Sequence, residues 1–127
     1  MPGPVAKLRR LLKRSEFLKA ARGNRAGRAA FLLQAVSSEG EQPGLGFTVT
    51  KKTGNSPERN RIKRRLREAA RACQAVFQPR HDYVLVGRRE ALRVPFDQLV
   101  TDLNSAVTKI HSTKIHASRA PGPRDDA

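Results

Sequence analysis

A chain of 127 residues with 26 Lys+Arg against 11 Asp+Glu carries a formal net charge of +15 and a pI near 11.5, so its long-range field draws polyanions and repels cationic partners. At 38% hydrophobic residues it is long enough for one domain of moderate core and too apolar for a wholly disordered basic tail. Its single cysteine excludes an internal disulfide, no apolar run reaches the ~18 residues that cross a bilayer, and residues 1–30 hold no apolar h-region of ~7, so the expected location is the cytoplasm.

Residues 1–14 read as a basic N-terminal arm, with Pro2, Pro4 and leucines alternating with Arg and Lys. Ser15 is a favourable N-cap for a short helix through about Ala21, closed by Gly23 and Asn24. Residues 29–36 read as a strand and residues 37–43 as a loop of turn formers. Leu45, Phe47 and Val49 alternate with Gly46, Thr48 and Thr50, a period-2 signal for a half-covered strand over 44–51. Thr53-Gly54-Asn55 leads to Ser56 as N-cap and Pro57 as first helical residue, which start a helix expected to run to about Phe77, before Pro79. Residues 82–87 fit a buried central strand. Pro95 opens a last helix in which Phe96, Leu99, Leu103, Val107 and Ile110 fall at helical spacing. The folded domain is placed at 15–111, ahead of a Ser/Lys/Arg/Pro/Gly-rich tail, 112–127, expected to be disordered. The order α-β-β-α-β-α indicates one α+β sandwich, a small sheet with helices against it. Strand 44–51, helix 57–77 and strand 82–87 form a β-α-β unit within it.

In the central helix Ile62, Leu66, Ala69, Cys73 and Val76 gather on one side at about 100° per residue. The remaining circumference carries Arg59, Arg61, Lys63, Arg64, Arg65, Arg67 and Arg71, with Asn60 among them and Glu68 as the only acid from 59 to 71. Like charges at i,i+4 (Arg59/Lys63, Lys63/Arg67, Arg67/Arg71, Arg61/Arg65) each cost roughly 0.2–0.5 kcal/mol. Arg59 and Arg61 also lie in the first turns, where the helix dipole favours anions. Glu68 offsets part of this through Arg64 and Arg71. A charge run is ordinarily a solvated face, but one this lopsided points to a polyanion that compensates it. Arginine suits the task, since it grips phosphate bidentately and stacks on bases. Phe17, one of 5 Phe beside 1 Tyr and no Trp, reads equally as core or as an RNA-facing ring.

Chemistry by the chain's own side chains is disfavoured. The acids are scattered, and no pair outside the terminal Asp125-Asp126 has convincing spacing for Mg²⁺. His81, His111 and His116 are isolated from one another and from Cys73, which speaks against zinc. Cys73 reads as a small core residue, and no Gly-rich phosphate loop is present. A structural RNA-binding protein, such as a small ribosomal component, fits the composition equally well, and a stand-alone nuclease fits it less well.

The segment from Gly46 to Asn55, containing Lys51-Lys52-Thr53-Gly54-Asn55, followed by Arg59-Asn60-Arg61-Ile62-Lys63-Arg64-Arg65-Leu66-Arg67, closely resembles the protein component of bacterial ribonuclease P. That family is marked by Arg-Asn-Arg-x-Lys-Arg-x-x-Arg on its second helix, preceded by a Lys-Lys-x-Gly-Asn loop. Arg10-Leu11 with Phe17 six residues on, Asp82-Tyr83-Val84-Leu85 and Pro95-Phe96 support the match, which covers roughly residues 8–110. The resemblance implies an α-β-β-β-α-β-α order, with one more short strand within 24–30. It also implies an unusual left-handed β-α-β crossover, the fold of the second domain of ribosomal protein S5, against the usual right-handed rule. It implies a ribonucleoprotein that removes the 5′ leader of precursor tRNA, with the catalytic centre and the Mg²⁺ requirement in the RNA-containing holoenzyme and no catalytic residue here. Arg59, Asn60, Arg61, Lys63, Arg64 and Arg67 would bind the catalytic RNA. Phe17, Lys51 and Lys52 would line the leader cleft between the first helix and the sheet. Ala21 and Gln34 stand where relatives often carry aromatics, which suggests a cleft that reads the leader mainly through its backbone.

Overall fold

The structure, a computed structural model, describes residues 8–112. Its elements in chain order are β1 (Arg9–Arg10), α1 (Arg14–Ala21), β2 (Asn24–Gly27), β3 (Phe31–Ser37), β4 (Gly44–Thr48), α2 (Ser56–Ala72), β5 (His81–Gly87) and α3 (Phe96–Ser112). The five strands form one mixed sheet in the order β1-β4-β5-β3-β2. β4 and β5 are parallel neighbours, with Leu45 opposite Tyr83 and Phe47 opposite Leu85, so α2 is the crossover of the expected β-α-β unit. The additional short strand is β2, which pairs antiparallel with β3 from Asn24 opposite Ala35 to Gly27 opposite Leu32.

Side-chain alternation along the strands sorts the core to the two sheet faces. Phe31, Leu33, Leu45, Tyr83 and Leu85 turn to one face, where they pack with Ile62, Leu66 and Ala69 of α2 and with Leu99, Leu103 and Ile110 of α3. Val84 turns to the other face and meets Leu11, Ala20 and Phe17. Gly87 lets α2 lie close to β5: a Cβ there would stand 2.6 Å from Ile62 Cγ2 and 2.9 Å from Val49 Cγ2. No helix among the described residues is long and apolar enough to cross a membrane.

Element ends differ from the sequence reading in instructive ways. The first helix is capped by an acid in its first turn, not by Ser15: Glu16 Oε1 accepts the Leu12 and Lys13 backbone N–H groups, each at 3.1 Å. The central helix takes Asn55, not Ser56, as N-cap. Asn55 Oδ1 accepts from the Glu58 backbone N–H at 3.0 Å, and Glu58 Oε1 accepts from the Asn55 backbone N–H at 2.9 Å, a reciprocal pair no serine at 56 matches here. That helix also stops at Ala72 instead of about Phe77, because Cys73 leaves helical geometry (φ −123, ψ 33) and Gln74–Val76 form a 3-10 turn. The turn swings Phe77 edge-on to Tyr83, with ring centroids 4.9 Å apart. Strand 44–51 ends at Thr48, and Lys51–Thr53 are a further 3-10 turn. Of the basic arm, residues 1–7 lie outside the described residues, while Arg9–Arg10 pair with Gly44 and Leu45 in parallel. Of the tail, residues 113–127, including His116, also lie outside them.

Candidate nucleic-acid interface

α2 presents the charge as its spacing requires. Ile62, Leu66, Ala69 and Ala70 are buried, while Asn60, Arg61, Arg64, Arg67 and Arg71 are exposed and Arg59, Lys63 and Arg65 half-buried. Three of the cations have work inside the fold. Arg59 donates through Nε to the Gly54 carbonyl at 3.1 Å and through Nη2 to Ser56 Oγ at 3.0 Å, which holds the turn ahead of the helix. Arg65 donates to the Ala91 carbonyl at 2.7 Å, pinning the loop after β5. The Arg67 guanidinium stands 5.5 Å from the centroid of the Phe47 ring, a cation–π contact. Glu68 forms no ion pair among the described residues, so what it offsets for Arg64 and Arg71 acts without direct contact. Arg61, Lys63, Arg64 and Arg71 thus form a stripe with no carboxylate of the described residues within ion-pair distance.

The loop ahead of α2 is tied down by a residue that local pattern does not reveal. Arg89, in the turn after β5, donates to the Thr53 carbonyl at 3.0 Å and forms an ion pair with Glu58 at 2.8 Å. The exposed Lys51 and Lys52 therefore stand on a turn held from both ends. The Arg89 guanidinium, and after it the Asn55 N–H, hold the Glu58 carboxyl down from its ordinary 4.5 to about 2. A folded-state pKa below the unfolded one contributes stability that is present above pH 4.5 and fades as pH falls toward 2. Glu58→Gln should therefore flatten the acid limb of the unfolding midpoint between those pH values. An acid limb identical to the parent protein's would show that the Arg89 tether contributes nothing.

Phe17 is half-buried on α1, against Gly46, where a Cβ would lie 2.7 Å from its Cζ; glycine is what lets the ring sit flush on β4. Under α1 lies a hollow of about 470 Å³ whose walls include Phe17, Ala21, Gln34, Thr48 and Val84. Ala21 and Gln34, the two departures noted from sequence, both face it, and Gln34 is only 9% exposed. Lys51 and Lys52 are not part of its lining; they stand exposed beyond the end of β4. The nucleic-acid candidates thus fall into two groups: the α2 stripe with its tethered loop, and the hollow under α1.

The other reactive side chains are built into the core. Burial pushes the Cys73 thiol up to about 11, so it is protonated at neutral pH and no nucleophile. Tyr83 accepts the Gln78 N–H at 2.9 Å and bonds His111 Nε2 at 2.7 Å, and burial pushes its hydroxyl up to about 12. His81 and His111, read from sequence as isolated, are brought together by the fold with ring centroids 4.6 Å apart; burial, and then His81, hold His111 below the ordinary histidine range. Among the described residues no group of three or more His, Cys, Asp or Glu is placed to hold a metal ion.

Comparison with known proteins agrees with this geometry. The sequence model of the family described as Ribonuclease P matches residues 5–111. The Ribonuclease P protein component of Ruegeria pomeroyi is 49% identical over 109 residues, covering 82% of this chain and 87% of that protein. Its counterpart in Paramagnetospirillum magneticum is 42% identical and covers 92% of this chain and 94% of the relative. Among solved structures, the RNase P protein from Thermotoga maritima superposes with a TM-score of 0.70 at 27% identity, covering 80% of this chain and 96% of that one. The Staphylococcus aureus RNase P protein does so with a TM-score of 0.67 at 27% identity, covering 83% and 96%. With its charged helix, its mixed sheet and relatives matched over most of their length, the chain belongs to the ribonuclease P protein component family.

Proposed function

We propose that this chain lays the α2 stripe on the catalytic RNA of ribonuclease P, and takes the 5′ leader of precursor tRNA through the hollow under α1 and past the tethered loop that carries Lys51 and Lys52. Arg59, Asn60, Arg61, Lys63, Arg64 and Arg67 serve the first contact, and Phe17, Lys51 and Lys52 serve the second. The observation that carries this reading is the run of α2 cations without carboxylate partners among the described residues, a local cost that a phosphate backbone relieves. Arg59 has a double part, since it also braces the turn that carries the two lysines. The protein screens repulsion between catalytic RNA and substrate and positions the leader, while bond breaking and Mg²⁺ belong to the RNA-containing holoenzyme in the cytoplasm. The described side chains offer no cluster of three or more carboxylate, imidazole or thiol groups placed to hold the ion.

Incubation of precursor tRNA with protein alone, with the catalytic RNA alone at low Mg²⁺, and with both tests this directly. Cleavage is expected only in the combined reaction. Cleavage by protein alone would place the chemistry in this chain and overturn the reading.

A further inference from the structure

A second and larger hollow, of about 660 Å³, opens on the free edge of β4. It lies between Leu12 and Phe17 on one side and Lys63, Arg67 and Arg71 of α2 on the other, with Phe47 as its floor. Its origin is the shortness of β1. The seam between that strand and β4 ends where the Leu11 N–H donates to the Leu45 carbonyl at 3.1 Å, and the chain then turns away into α1. Phe47, two residues on from Leu45, has the same backbone orientation and presents its N–H and carbonyl to the uncovered edge.

The chemistry of the walls is specific. Phe17 and Phe47 supply rings on which a planar group stacks, and the Arg67 guanidinium already covers the Phe47 ring. Leu12, 75% exposed, forms an apolar lip that the described residues leave uncovered. Arg10, Lys63, Arg67 and Arg71 line the mouth, and no acid among the described residues does. Gln74 adds an amide of the kind that pairs with the edge of adenine. Aromatic floor, cationic rim and a volume inside the 300–1,000 Å³ range typical of small-ligand sites together match a nucleotide.

We infer that this hollow receives one unstacked nucleotide of the catalytic RNA, its base against Phe47 and Phe17 and its phosphate between Arg67 and Arg71. The assignment rests on the proposal that α2 lies on that RNA, because Lys63 and Arg67 belong both to the stripe and to the rim. The hollow assigned to the leader adjoins this one, sharing Leu12, Phe17 and Phe47, and continues beneath α1 to Ala21, Gln34 and Val84. The site requires the catalytic RNA to turn a base out of its stack where α2 crosses it, and makes that base part of the protein's register on the RNA.

Two measurements test it. In the free protein, titration with adenosine 5′-monophosphate should move the backbone amide resonances of Gly46 and Gln74, which line this hollow alone, saturably, whereas inorganic phosphate should leave them in place. Absence of that response, or the same response to phosphate, would overturn the site. In the reconstituted holoenzyme, Gln74→Ala alters a half-exposed group that lines this hollow and not the leader hollow, and should weaken affinity for the catalytic RNA about tenfold. Discrimination between precursor and mature tRNA should stay unchanged. Unaltered RNA affinity, or a loss confined to leader-bearing substrate, would overturn the assignment to the catalytic RNA. The titration needs no ribozyme, so its failure is separable from failure of the reconstitution assay above.

Discussion

Replacing Arg61, Lys63 and Arg64 together by glutamine should weaken binding to the catalytic RNA at least about a hundredfold at moderate salt and flatten its salt dependence by about two log–log units. The size follows from removing three charge-assisted phosphate interactions, each of which releases somewhat under one counterion. The same variant should be no less stable than the parent. Glutamine matches arginine and lysine in helix propensity, and Arg61, Lys63 and Arg64 form no ion pair with a described residue that the change could break. Three repulsions at i,i+4 disappear, Arg59/Lys63, Lys63/Arg67 and Arg61/Arg65, each worth roughly 0.2–0.5 kcal/mol. Against these stands only the removal of Arg64 from the neighbourhood of Glu68. A urea midpoint that holds or rises while RNA affinity collapses is the signature of charge placed for a partner. An unchanged salt slope would mean that the stripe is merely solvated. The Lys63 member also touches the rim of the β4-edge hollow, so Arg61 and Arg64 replaced by themselves isolate the stripe from the pocket.

What makes the stripe legible in the sequence is locality. Ile62, Leu66 and Ala69 and the cations around them are one helix read at one period, and the structure buries the first set and exposes most of the second. The strands at 44–48 and 81–87 are legible for the same reason, since alternation and an apolar run are short-range signals. Helix ends are less so. Val76 continues the apolar spacing of α2 yet lies in a 3-10 turn, because packing of Phe77 on Tyr83 decides the path after Ala72. Contacts that close the fold carry no local trace at all. Arg89 and Glu58 are 31 residues apart, and Arg9 and Asp82 are 73 apart. A strand of two residues such as β1 is too short to show any period. The hollow beside it is invisible in the sequence because it exists only where β1 stops short of β4.

The larger effect on the fold should come from Arg9. Its Nη2 donates to Asp82 Oδ1 and its Nη1 to Glu16 Oε2 at 3.3 Å, so one guanidinium joins β1, the capping acid of α1 and the start of β5. Asp82 is 6% exposed, and Tyr83 beside it packs against the Phe77 ring. Arg9→Met keeps the aliphatic stem and strands a carboxylate in the interior. Removing one partner of a fully buried pair costs about 3–5 kcal/mol; with the Arg9 side chain 32% exposed, solvent screening brings the expectation to about 2 kcal/mol. The stability should be partly restored by Asp82→Asn in the same chain, since the amide needs no counter-ion, and the double variant should therefore fall short of the sum of the single ones. Hydrogen exchange locates the damage. The Leu11 amide, bonded to the Leu45 carbonyl at 3.1 Å, should lose protection in Arg9→Met, while the Leu99 amide of α3 falls only with global stability. Since α1 carries Phe17, which walls both hollows, loosening this corner should weaken leader and catalytic-RNA binding together. Full protection at Leu11 with parental stability would show that β1 holds to β4 without the guanidinium, and that the corner is set by Leu11 packing on Val84 and Ala20 alone.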